Sequence, residues 1–426
     1  MKISHVDAYS ILDSRGNPTV EAEVRLEDGS VGRGLAPSGA STGQFEALEL
    51  RDGDGGRYLG KAVDRAVGHV RGELNALLVG RDGMDQAGID TAMIEADETP
   101  NKSRLGANAI LAVSMAVAQA GAASRKVPLH AHLGPGSLIP LPEIQIIGGG
   151  LHAGGRIDVQ DFMVIITGAR DYEEVLEKTF VIYRKAGEIL KREGRLAGVA
   201  DEGGYWPECA GNEAAFDILV RAIEAAGCVP GKDAAISLDI AASDLYEDGS
   251  YHFRSEGRKF SREEFAELIL RWLRDYPVVS VEDPMADTDW EGWEIVAREM
   301  REKVQIIGDD LFTTNLGRIR EGISRGVANA VLIKLNQIGT VTETLEAIRV
   351  TQEAGWLPVV SARSGETEDA FISHLAVATD AGQLKVGSLT RSERNVKWNE
   401  LVRIQRGLGD RARFIGGDIY QQILKG

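Results

Sequence analysis

Residues 234–239, AAISLD, 278–282, VVSVE, and 304–309, VQIIGD, each run through a short apolar stretch into a carboxylate: Asp239, Glu282 and Asp309. Residues 330–334, AVLIK, and 382–387, GQLKVG, repeat the pattern with Lys334 and Lys385. Apolar runs of this length read as strands buried on both faces, and a barrel of such strands gathers its strand ends at one mouth. Working outward, DFMVII, LAGVADEGG and PVVSAR complete the expected strands. They alternate with helical stretches such as EEFAELILRWLRDY and TVTETLEAIRVTQEAG. Strands interleaved with helices predict βα units, and about eight of them predict a closed barrel. No glycine-rich dinucleotide turn opens the series, which disfavours an open doubly wound sheet.

The N-terminal part reads differently. Residues 1–37 alternate apolar and polar side chains around turn signals at RGNP and EDGS, the pattern of an antiparallel meander. From Arg57 to about Arg125 the spacing becomes helical, as in YLGKAVDRAVGHVRGELNALL and LGANAILAVSMAVAQAGAA. The stretch VPLHAHLGPGSLIPLP, 127–142, has the punctuation of a linker. The expected domains are therefore 1–136, an α+β cap, and 137–426, an α/β barrel, a division that suits a chain of 426 residues.

With 65 acidic against 48 basic residues, the chain repels a phosphate backbone or an anionic membrane, so nucleic acid and membrane are not expected partners. Cys209 and Cys228 are too few for a disulfide framework or a zinc ribbon and read as reduced thiols. The N-terminus lacks an apolar signal core and no stretch reads as a span of roughly 18 apolar residues. A cytoplasmic setting is expected.

Asp239, Glu282 and Asp309 offer only carboxylate oxygens, a hard donor set that suits Mg²⁺ rather than zinc. Lys334 and Lys385 would lie beside that cluster, where burial and a nearby cation both disfavour the ammonium form, so that a lysine can act as a base near neutral pH. A lysine base beside a metal cluster suggests proton abstraction alpha to a carboxylate, a chemistry for which enolase-type sites are an established example.

At these residues the chain resembles the enolase family from end to end. The resemblance rests on DSRGNPTVE, PSGASTG, NKSRLGANAIL, LHAGG, DEGG, SLDIAAS, SVEDPMADTDWEGW, IGDDLFTTN, IKLNQIGTVTETLEAI, RSGETEDAFI and RSER. It implies an α+β cap followed by an enolase-type eight-stranded barrel. It also implies that Asp239, Glu282 and Asp309 hold one Mg²⁺, with Ser41 joining a second that arrives with substrate. Lys334 would take the C2 proton and Glu202 would help the C3 hydroxyl leave, with Asp161 in the same catalytic group. Lys385 would bind the substrate carboxylate, Arg363 and Ser364 its phosphate, His152 would close over it, and Gln160 would complete the contacts. The implied substrate is a small phosphorylated or phosphonylated carboxylic acid, and the implied assembly a homo-oligomer, dimer or octamer.

Departures from the family pattern cluster. Enolases have Gln-Glu-Phe-Met where this chain has Gln160-Asp161-Phe162-Met163, and Ser-His-Arg-Ser-Gly where it has Ser361-Ala362-Arg363-Ser364-Gly365. They have Asn-Gly-Gly at Gly148-Gly149-Gly150, and a Gly-Ala-Pro turn at Gly387-Ser388-Leu389-Thr390. The metal ligands and both lysines are kept while the leaving-group and phosphate ends change. That distribution favours a divergent paralogue of a specialised pathway, similar to carboxyphosphonoenolpyruvate synthases. The alternatives are a housekeeping phosphopyruvate hydratase and a non-catalytic scaffold, the latter disfavoured by five buried charges.

Overall fold

The computed structural model describes residues 1–40 and 43–424, apart from the side chain of residue 152. Ser41 therefore lies outside the described residues, as does the side chain of His152. Three antiparallel strands open the chain, β1 (Ile3–Leu12), β2 (Pro18–Leu26) and β3 (Val31–Leu35), in the order β1-β2-β3. Strands β2 and β3 pack onto the helix Ala107–Arg125, the centre of this domain's core, while β1 lies against the helical residues 64–78. The approach is close enough to require glycine: a Cβ at Gly32 or Gly34 would stand 2.1 Å from the carbonyl oxygen of Ala116 or Ala112. By length and composition this helix could cross a bilayer, contrary to the sequence reading. Instead, 83% of its 18-residue apolar window is buried inside the protein.

The remaining strands are β4 (Leu141–Gly148), β5 (Asp161–Ile165), β6 (Leu196–Val199), β7 (Tyr205–Pro207), β8 (Ala235–Asp239), β9 (Tyr246–Glu247), β10 (Ser250–Phe253) and β11 (Arg258–Phe260). After them come β12 (Val278–Glu282), β13 (Gln305–Gly308), β14 (Ala330–Ile333), β15 (Leu357–Ser361) and β16 (Gln383–Gly387). The barrel runs β4-β5-β8-β12-β13-β14-β15-β16 and closes by parallel pairing of β16 with β4. It is an eight-stranded barrel, as expected, with one departure in direction: β5 runs antiparallel to both β4 and β8.

Two strand assignments change. The first barrel strand is β4, LPEIQIIG, part of which the linker reading had absorbed. Its Glu143 and Gln145 break the apolar run because the barrel interior is polar at that level: both are fully buried. LAGV forms β6, which pairs with β7 in a hairpin attached to the outside of β4 and does not enter the barrel ring. Its residues are mostly exposed, as an outer hairpin allows.

Candidate active site

Strand direction puts the charged groups on one face. β8 and β12 are parallel neighbours in register, Asp239 opposite Glu282, so their terminal carboxylates meet at the same height. Asp161 begins its strand, and because β5 is antiparallel its first residue pairs with Asp239 at the mouth. Lys385 on β16 donates from Nζ to Asp239 Oδ2 at 2.8 Å and Glu282 Oε2 at 2.7 Å, with Asp161 Oδ2 3.7 Å away. Gln160 Nε2 also donates to Asp239 Oδ2, at 2.9 Å. Lys334, directly after β14, is paired with Asp309 Oδ2, whose other oxygen accepts from Gln337 at 2.8 Å.

One cleft is lined by Gln160, Asp161, Glu202, Asp239, Asp309, Lys334, Ala362, Arg363, Ser364 and Lys385, together with Gly39 and Ala40 of the cap. The structure thus brings together nine of the sequence-predicted site residues. Glu282 sits beneath them, fully buried and bound to Lys385. Arg363 does not stand alone: Nη1 donates to Glu46 Oε2 and Asn336 Oδ1, each at 2.9 Å, and Nη2 donates to Glu46 Oε1 at 3.1 Å. Ser364 Oγ accepts the Ala40 N–H at 2.8 Å, which fastens the cap to the barrel beside the cleft.

Burial, reinforced by Asp239, pushes Glu282 well above the usual carboxylate range. Burial raises Asp309 too, but Lys334 outweighs it and holds the group below its ordinary value. Against the chain's own acids both lysines are held as ammonium ions, whereas the sequence expectation of a lowered value applies beside a bound cation. Burial lowers both, yet Asp309 beside Lys334 and the pair Asp239 and Glu282 beside Lys385 push them up, because each ammonium is the counter-charge of its acids.

Sequence reasoning missed Asp283 and Asp310, each adjacent to a proposed ligand. Carboxylate oxygens of Asp283, Asp309 and Asp310 lie within 4.8 Å of one another, all buried. Asp283, held at φ +40°, accepts the Asp309 N–H at 2.9 Å and the Asp310 N–H at 2.8 Å, so it shapes the turn that presents Asp309. The doublets Glu-Asp and Asp-Asp at the strand ends were the available signal. Glu46 and Gln145 were also missed, since nothing local marks a partner hundreds of residues away or a glutamine inside a barrel.

The donor set fits a hard divalent cation. All three proposed ligands are carboxylates, and among the described residues Glu282 Oε1 is buried with no hydrogen-bond partner, an arrangement that is costly unless a cation or donor meets it.

The comparisons agree with this geometry. The family described as the enolase N-terminal domain matches residues 3–133, and that described as the enolase C-terminal TIM barrel domain matches residues 136–423. Enolase 1 of Desulfitobacterium hafniense (strain Y51) is 52% identical over 418 residues, 97% of this chain and 95% of that protein. Two family matches that together take in nearly the whole chain, and a relative alike from end to end, place a barrel mouth of this construction in one lineage: the chain belongs to the enolase family of lyases.

Proposed function

We propose that this chain is a phosphopyruvate hydratase that converts 2-phosphoglycerate to phosphoenolpyruvate, working with two Mg²⁺ per site. The observation that carries the reading is the convergence, in one cleft, of two lysines, the carboxyl group of Glu202 and a buried set of carboxylates. The near-complete match to a relative named Enolase 1 supports the ordinary reaction over a specialised one. Asp239, Glu282 and Asp309 would hold Mg²⁺, with Ser41 joining a second ion. When bound, Mg²⁺ supplies positive charge that stabilises the doubly charged enolate and draws carboxylate charge away from the lysines.

The chain's own groups divide the remaining work. Lys334 takes the C2 proton on its Nζ, which Asp309 holds at the cleft. Glu202 protonates the departing C3 hydroxyl from the loop beside β4, three places from β14 around the eight-strand ring. Lys385 binds the substrate carboxylate, Arg363 and Ser364 its phosphate, and His152 covers it.

A second reading, a specialised phosphonate substrate, rests on Ala362 and Asp161: both line the cleft where the family carries a histidine and a longer acid. Phosphoenolpyruvate formation from 2-phosphoglycerate at saturating Mg²⁺ separates the two. The first reading predicts a kcat of roughly 1–10³ per second. Turnover below that range, with faster reaction of a phosphonate analogue, would favour the second.

A further inference from the structure

Gln145 lies on β4, completely buried. Its Nε2 donates to Asp161 Oδ1, and its Oε1 accepts the Gly204 N–H at 2.7 Å. One side-chain amide therefore joins a carboxylate on β5 to the 200–204 loop that carries Glu202.

The surroundings are cut to the length of this glutamine. A Cβ on Gly204 would stand 2.5 Å from Gln145 Oε1. A Cβ on Gly148 would stand 3.3 Å from Gln145 Nε2 and 2.6 Å from the Cβ of Ala200. Gly148 and Asp161 are both positions where this sequence is smaller than the family pattern, and both border Gln145. Thr390, another departure, donates from Oγ1 to the Gly203 carbonyl at 2.7 Å, beside the Tyr183 hydroxyl at 3.0 Å. Changes far apart in sequence converge on one loop and one amide.

We propose that Gln145 is a positioning residue that sets Asp161 and the Glu202 loop as a single unit at the leaving-group end of the cleft. The proposal rests on the reaction assigned above. An aspartate reaches about 1.5 Å less far than a glutamate, one C–C bond, and the glutamine amide comes out to meet it. Its N–H orients Oδ1 of Asp161, while Oδ2 faces Lys385 Nζ across 3.7 Å. Reach is then shared between the two residues: a longer acid at 161 would collide with the Gln145 amide, and a shorter amide at 145 would leave Asp161 without its donor.

The test is a double-mutant cycle with Gln145→Asn and Asp161→Glu in the Mg²⁺-loaded full-length protein. Each single variant is expected to lower phosphoenolpyruvate formation from 2-phosphoglycerate at least tenfold, while exchange of the C2 hydrogen with solvent deuterium changes less than threefold. The double variant, which moves one methylene from one residue to the other, is expected to form product at least fivefold faster than either single. Without substrate it should also melt above both singles. Losses that multiply in the double variant, or exchange that falls in step with product formation in the singles, would overturn the proposal. If the wild-type protein neither exchanges nor dehydrates 2-phosphoglycerate, the assigned reaction fails. The melting temperatures then decide on Gln145 separately, and a double variant melting below both singles rejects the paired unit.

Discussion

Lys385 and Glu282 show how single residues at this mouth depend on one another. Glu282 is buried beside Asp239, which drives the Glu282 carboxyl toward its neutral form, and the Lys385 ammonium opposes this at 2.7–2.8 Å from both acids. Removing one acid leaves its partner with a surplus of positive charge and a missing oxygen ligand. Asp239→Ala, Glu282→Ala and Asp309→Ala are each expected to weaken Mg²⁺ binding at least tenfold by calorimetry, since a hard ion held by three carboxylates is underbound by two. Affinity unchanged in all three variants would remove the metal assignment. These three acids and both lysines were legible in the sequence because each follows a short apolar run. Asp161 was legible only through the resemblance, since it begins its strand. The raised lysine pKa values were not legible, because they depend on which acid faces which ammonium.

At the scale of elements, β4 shows what the barrel asks of a strand and why periodicity alone misplaced it. Barrel interiors are usually filled by branched apolar side chains. Here the level below the mouth holds Glu143, Gln305 and Gln383, all fully buried. Glu143 accepts from Ser237 Oγ at 2.7 Å and Gln383 Nε2 at 3.1 Å, and Gln305 and Gln383 bond reciprocally at 2.6 and 3.1 Å. A strand facing such a network cannot read as an apolar run, so its first two residues, Leu141 and Pro142, passed for the end of a linker and the rest of LPEIQIIG was not read as a strand.

Burial lifts Glu143 from 4.5 to about 6, against the pull of the Ser237 hydroxyl and Lys385. A raised folded-state pKa means that the folded protein binds this proton more tightly than the unfolded chain. The resulting stability is fully present below about pH 4.5 and is lost as pH rises through about 6. The difference amounts to about 2 kcal/mol. Glu143→Gln removes this titration. Relative to wild type, its unfolding free energy should therefore rise by about 2 kcal/mol between pH 4.5 and 7.5 in denaturant melts. Parallel pH profiles for the two proteins would show that Glu143 is ionised at little cost.

Across the whole molecule, the cap completes the barrel. Glu46, from the cap segment after the PSGASTG stretch, grips Arg363 of the barrel in a two-pronged ion pair, and both side chains are nearly inaccessible. Lys102 pairs with Glu343 at 3.0 Å, and Asp90 accepts from the backbone and hydroxyl of Thr342 at 2.9 and 2.6 Å. A two-domain reading was within reach of the sequence, because the alternating meander and the βα repeats have different periods. The contacts between the domains were not, since they join residues more than two hundred positions apart.

In the proposed reaction this cleft removes a proton from C2 before a hydroxyl leaves C3, with Lys334 as the base and Glu202 as the acid. The direct measurement is exchange of the 2-phosphoglycerate C2 hydrogen with solvent deuterium in wild type, Lys334→Ala and Glu202→Gln, each loaded with Mg²⁺. Exchange is expected in wild type, its abolition in Lys334→Ala, and its survival in Glu202→Gln while phosphoenolpyruvate formation is lost. Exchange that persists in Lys334→Ala and vanishes in Glu202→Gln would rule out this assignment of base and acid.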